Sequence, residues 1–492
     1  MIAASVNSPR HAEQDARDCH PAQEGIAMEE AVGLSRQAFA VGETVSPLPL
    51  KVLDAAETQR GVGVAPALKV FVGLQLGLAV ACFAAELVCA FLLHKDGAYT
   101  YALRTRSQNC WDFTLFAGKF AHFGQADFFR VDPEIPFTYP APVAVAYEAF
   151  FRYKAHPLAL FLGFIVAAFG TAAALLARAL RRCGMTWVQA AGFCGASVVL
   201  SYPLWFELKQ GNIEICVWVL VALGLWAFAK GRGYSAAACF GIAGSMKIFP
   251  FVYLGLLLAR RRYREIAFAG LVAAGSMAAS LALVGPGIKA TWRATQAGVA
   301  FFRTTYILTF RQEEIGFDHS LFGVYKQVFH HTLPGPEALG HRLSVYMAVA
   351  AVGGVALYFL RIWRLPVTNQ VLCLSVASVL LPPISFDYTL LHLYVPWAVL
   401  VLLAQSSWRR GERVAGLAGA LVLMAVVFSP ESEVIHHATH LGGQVKAVAL
   451  MGLMGVGLVY RFPHGIAGCA WNDDEGQATA KAKCGDSSLR SE

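Results

Sequence analysis

Ser245-Met246-Lys247-Ile248-Phe249-Pro250 interrupts an apolar run over residues 234–259, and the direction in which the chain leaves this stretch decides the fold. Read as one ordinary membrane crossing, the run places Arg260, Arg261, Arg262 and Arg264 on the outer side and inverts every later basic cluster with them. Basic residues favour the cytoplasmic side. Two half-length helices meeting near Lys247 instead return the chain to the side it came from. With the N-terminus inside, Arg178, Arg181, Arg182, Lys230 and Arg232 then fall inside, and so do Arg361, Arg364, Arg409, Arg410 and Arg461. Pro250 suits the opening of the second half-helix, where a missing N–H costs nothing. A lysine at that depth is costly unless it faces protein, water or an anion.

Outward from this hairpin the chain stays apolar. Its 492 residues are 57% hydrophobic and 15% charged, with a mean hydropathy of +0.51, which excludes a soluble domain of this length. A crossing takes roughly 20 apolar helical residues. Spans are expected at about 67–93, 157–180, 186–205, 212–229, 264–285, 343–360, 367–382, 388–406, 413–429 and 443–460. The expected fold is an all-α polytopic membrane protein of about 12 transmembrane segments, the half-helix hairpin included. Two long outer loops, 94–157 and 286–342, are the segments large enough to build a site. Residues 1–66 and 462–492 read as disordered cytoplasmic tails flanking a membrane domain over 67–461. The N-terminal tail lacks a basic region followed promptly by an apolar core, so no cleavable signal peptide is expected.

The +8 net charge lies in short clusters between apolar runs, where it reads as a topology signal, and no nucleic-acid motif accompanies it. The eleven cysteines show no Cys-x-x-Cys pair and no Cys/His spacing suited to zinc. Neither a metal nor a cofactor is expected. The phosphate-cradling lysine loop, the dinucleotide glycine fingerprint and His-Glu-x-x-His are all missing, as is an Asp-x-Asp pair to hold a metal-bound nucleotide sugar. A transferase built on this chain must draw its donor from the membrane.

The candidate residues each carry two readings. Asp112, in Trp111-Asp112-Phe113, is either an interface acid meeting water or a partly desolvated carboxylate able to take a proton from a hydroxyl. Tyr139 sits in Thr138-Tyr139-Pro140, a rigid aromatic turn or simple loop chemistry. Gln210 and Asn212 flank Gly211 at a helix start, as caps or as two amides for a sugar. Lys247 marks a functional site or snorkels to the outer interface, phosphate being the anion expected beside it. Arg311 and His319 lie in the second outer loop. Asp387 starts a span that carries His392 about one turn further in, as a capping acid and a buried histidine or as site residues. Glu86, inside the first span, raises the same question. Buried polar groups around a broken helix also suit a transporter.

Taken in order, Asp112-Phe113, Gly124, Phe128, Phe137-Thr138-Tyr139-Pro140, Gln210-Gly211-Asn212, Lys247-Ile248-Phe249-Pro250, His319-Ser320-Leu321 and Pro383-Ile384-Ser385-Phe386-Asp387-Tyr388 resemble glycosyltransferase family 87. The resemblance runs over roughly residues 70–401. It implies a GT-C-type bundle, a polyprenyl-phosphate sugar donor, mannose being the expected sugar, and a lipid or glycan acceptor on the extracytoplasmic face of the cell membrane. It implies Asp112 as the base. The reaction expected is an inverting displacement, with donor or acceptor contacts expected from Tyr139, Gln210, Asn212, Lys247, Arg311, His319, Asp387 and His392, among membrane lipids as neighbours. Two positions depart from the pattern. Many members carry Ser-Trp-x-His-His where this chain has Ser385-Phe386-Asp387-Tyr388-Thr389, and Asp318-His319-Ser320 stands in place of Asn-Gln-Ser.

Overall fold

The chain turns back on itself at Lys247. The rings of Phe240 and Tyr253 stack with centroids 5.7 Å apart, whereas an unbroken helix would separate these two residues by about 20 Å along its axis. Arg262 Nη1 donates to the Gly231 carbonyl at 3.1 Å, so the two ends of the hairpin meet. The first arm is the helix Gly233–Met246. Lys247 is extended, and Pro250 opens a short 3-10 turn, Phe249–Tyr253, that runs into the helix Leu254–Ala259. Gly244 lies under the Phe251 ring, where any side chain would collide.

This computed structural model describes residues 63–94, 100, 110–131, 134, 136–310, 316–412, 414–431 and 442–463. Arg311 and most of both tails lie outside the described residues. Among the described residues there are eighteen α-helices. Five of the helical segments are long and apolar enough to cross a membrane: Pro66–Phe91, Pro157–Arg182, Tyr263–Val284, Pro336–Arg364 and Asp387–Arg410. Trp187–Val199 and Tyr202–Gln210 make a sixth if taken as one span bent by 52°. Shorter apolar helices, among them Glu214–Ala229, Val367–Leu380, Leu417–Val427 and Gly443–Val459, fill the space between them. The protein is therefore a polytopic membrane protein.

The bend breaks the span expected at 186–205, and its cause is local. Thr186 and Gln189 form a reciprocal capping box that starts the first piece. Pro203, in the first turn of the second piece, cannot donate into a continuous helix, so the chain restarts at Ser201. Pro336, following Gly335, likewise opens its helix earlier than the expected 343.

Residues 110–131 and 136–151 are held by aromatic packing. Phe113 is 1% exposed and stacks on Phe151 at 4.3 Å and on Phe161 at 4.6 Å. Phe120 stacks on the other side of Phe151 at 4.5 Å. Ring pairs of this kind add about 0.5–1.5 kcal/mol each to the area they bury. Asp112 is thus next in sequence to a buried ring stacked on two others.

Candidate active site

Asp112 lies on the five-residue helix Trp111–Leu115. The residue before it, Cys110, has φ +53° and presses against Gly211, which has φ +63°. A Cβ on Gly211 would come within 2.6 Å of the Cys110 Cβ, so glycine is required here both for its backbone angle and for space. The Cys110 thiol donates to the Leu208 carbonyl at 3.4 Å, and burial pushes it up to about 12. This contact brings Asp112 to the turn Gln210-Gly211-Asn212.

Asn212 Nδ2 donates to Asp112 Oδ2 at 2.5 Å and to the Tyr139 hydroxyl at 2.8 Å. Tyr139 in turn donates to Asp112 Oδ2 at 3.4 Å. Both bonds to the carboxylate fall on Oδ2; Oδ1 accepts none among the described residues. Burial raises Asp112 above the ordinary carboxylate range, while Asn212, Lys247 and Tyr139 pull it partly back. Tyr139 is held well above its usual value, first by burial and then by the Asp112 charge.

Behind Asn212 stands a second tier. Lys247 Nζ donates to Asn212 Oδ1 at 3.0 Å and pairs with Glu214. The other Glu214 oxygen meets His392 Nε2 at 2.6 Å. The ammonium also lies over the rings of Tyr388, at 4.9 Å, and Tyr139, at 5.8 Å. The fold-back at Lys247 therefore brings its side chain to Asn212, the residue that grips the Asp112 carboxylate.

The sequence model of glycosyltransferase family 87 matches residues 137–386, half of the chain. The protein belongs to glycosyltransferase family 87. It is a transferase, and a membrane one. No solved structure matches it. The match is narrower than the 70–401 expected: Tyr139, Asn212, Glu214 and Lys247 lie inside it, and Asp112 and His392 outside.

Of the residues expected to form the site of this family 87 enzyme, Asp112, Tyr139, Asn212, Lys247 and His392 come together in one network. Gln210 ends its helix half-buried, with no side-chain hydrogen bond among the described residues. His319 and Asp387 belong to a separate network and are 0% exposed. His319 Nδ1 meets Asp387 Oδ1 at 3.3 Å, Lys446 donates to Asp387 Oδ2 at 2.6 Å, and Lys446 also pairs with Glu431 at 2.9 Å. Asp318 accepts the backbone N–H groups of Ser320 at 3.0 Å and Ser385 at 2.9 Å, and burial raises it above the ordinary carboxylate range. This network ties residues 318–320, the turn at Ser385 and the last described helix, Gly443–Val459, into one block. Tyr388, next in sequence to Asp387, reaches from that block to Lys247.

Glu214, Glu207, Lys446 and Glu431 are buried acids and a buried lysine that no motif in the sequence marks. Glu207 is fully buried, and neither oxygen has a hydrogen-bond partner among the described residues. Glu431 is held well above the carboxylate range, chiefly by burial. Glu86 Oε1 receives the Thr100 N–H at 2.9 Å and its hydroxyl at 2.5 Å, its buried Oε2 has no hydrogen-bond partner among the described residues, and the Thr100 hydroxyl also lies 3.4 Å from the Glu431 carbonyl. Among the described residues, no group of three or more His, Cys, Asp or Glu side chains is placed to hold a metal ion.

Proposed function

We propose that this family 87 enzyme moves a hexose, mannose by preference, from a polyprenyl-phosphate donor to a lipid or glycan acceptor, with inversion, on the extracytoplasmic face of the cell membrane. The observation that carries this reading is the state of Asp112. Its Oδ2 is gripped by Asn212 and Tyr139, and its Oδ1 is left without a partner in a half-buried position. The acceptor hydroxyl gives its proton to Oδ1 as its oxygen attacks the anomeric carbon. The bond from that carbon to the phosphate oxygen breaks, and polyprenyl phosphate leaves. That leaving group needs positive potential more than a proton, which Lys247 supplies with a side chain 15% exposed.

In this reading the chain is a GT-C-type bundle of about 12 membrane segments, with the shorter apolar helices among them and 233–259 as a re-entrant hairpin. Tyr139 and Asn212 flank the reacting hydroxyl, while His319 and Asp387 act from behind by holding Tyr388. The test is transfer by the purified protein in lipid nanodiscs, offered labelled polyprenyl-phosphate mannose, glucose or arabinose with lipid extract as acceptor. A labelled product of inverted anomeric configuration, lost in Asp112→Asn, is the expected result. Turnover retained by Asp112→Asn overturns the assignment of the base.

A further inference from the structure

Glu214 opens the helix Glu214–Ala229 and is 2% exposed. All of its polar groups are committed. One carboxylate oxygen takes Lys247, the other His392 at 2.6 Å, and the backbone N–H donates to Asn212 Oδ1 at 3.1 Å. Asn212 Oδ1 thus receives two donors, that N–H and the Lys247 ammonium at 3.0 Å. An amide oxygen so occupied leaves the amide one way to face, with its NH2 group toward Asp112 and Tyr139. The contacts run without a break from His392 through Glu214, Lys247 and Asn212 to Asp112. A buried acid between two bases is an expensive way to fill space, since apolar packing of the same volume does as well or better.

We propose that Glu214 is a positioning residue for sugar transfer, fixing the Asn212 amide and moderating the Lys247 charge at Asp112, and that His392 acts through Glu214. This rests on Asp112 being the base. It places His392 behind the site, away from the donor phosphate. Besides Asn212, the groups that bear on the Asp112 charge are Lys247, Tyr139, Tyr147, Tyr388, Cys110 and Glu207, and none of these is altered in the variants below.

The experiment is the pH profile of kcat/KM for transfer from labelled polyprenyl-phosphate mannose, with full-length protein in nanodiscs. Glu214→Gln keeps the shape and removes the charge, so Lys247 acts on Asp112 unopposed. The acid limb is expected to move down by about one pH unit, with kcat about tenfold lower and donor KM not raised. His392→Ala gives Glu214 wholly to Lys247 and moves the limb the other way. His392→Gln, still able to donate to Glu214, restores the wild-type profile. In the Glu214→Gln background, His392→Ala adds nothing. An acid limb unmoved in Glu214→Gln, or losses that multiply in the double variant, overturns the proposal. If Glu214→Gln does not accumulate as folded protein, the two His392 variants decide the matter by the limb and its rescue. Loss of the base assignment itself shows separately, as turnover retained by Asp112→Asn.

Discussion

Asn212 and Asp112 lie one hundred residues apart in sequence and share a 2.5 Å hydrogen bond. The bond stabilises the ionised carboxylate against a burial that favours its protonated form. With Asp112 as the proposed base, which must be deprotonated to work, the acid limb of the activity profile is expected above the pH at which a solvent-exposed aspartate titrates. Asn212→Ala removes the donor, raises the proton affinity of Asp112 and moves that limb to higher pH. We expect kcat/KM at neutral pH to fall about 10- to 100-fold, read from initial rates across the pH range.

Tyr139→Phe keeps the ring beside Lys247 and removes the hydroxyl that accepts from Asn212 and donates to Asp112. The loss is about one hydrogen bond to a charged group, or roughly 1.5–3 kcal/mol at most. Tyr139→Ala also removes the ring and should cost more. Steady-state rates for the two variants give the comparison, and equal losses would assign the effect to the ring alone.

Gly211→Ala meets two obstacles at once, a left-handed backbone angle and the Cys110 side chain 2.6 Å from the new methyl group. The backbone alone costs about 1–2 kcal/mol. Thermal unfolding in detergent should show a lowered midpoint, together with lost activity as Asp112 is pushed from Asn212.

Lys446 is 2% exposed, between Asp387 and Glu431 and over the ring of Tyr202 at 4.7 Å. Lys446→Met leaves a buried carboxylate uncompensated, a loss of about 3–5 kcal/mol. Folded yield should collapse, and Lys446→Met with Asp387→Asn should recover part of it. Size-exclusion profiles of the two variants would measure the difference.

Ile248, at the tip of the hairpin, is 69% exposed. In a cysteine-depleted background, Ile248→Cys should react with a membrane-impermeant thiol reagent from the outer side, and Lys230→Cys only after the membrane is opened. Labelling of both from the same side would set the hairpin arms the wrong way round.

Much of this architecture is legible before any coordinates. Lys247 stands out because a cation inside an apolar run must have a partner, and the arginines after it require the chain to turn back. Lys247 and His392 are visible as polar residues where polarity is expensive, and Asp112, Tyr139 and Asn212 through the ordered set of motifs that resembles the family. Glu214 escapes the same logic because an acid at a helix start is ordinary, favoured by the helix dipole. Lys446 sits similarly close to the start of the apolar stretch 443–459. Nothing local distinguishes His319 and Asp387, which are buried against each other, from residues that face a ligand. Their burial depends on how distant segments pack. Pro203, a proline inside an apolar run, accounts for the 52° bend there.

Lys446 belongs to the last described helix, yet its grip on Asp387 fixes the residue beside Tyr388, whose ring covers Lys247. The last described helix is thus coupled, through Asp387 and Tyr388, to the lysine of the proposed site. A reporter protein fused at the C-terminus that tugs on this helix would register as slowed sugar transfer before it registered as faulty membrane insertion.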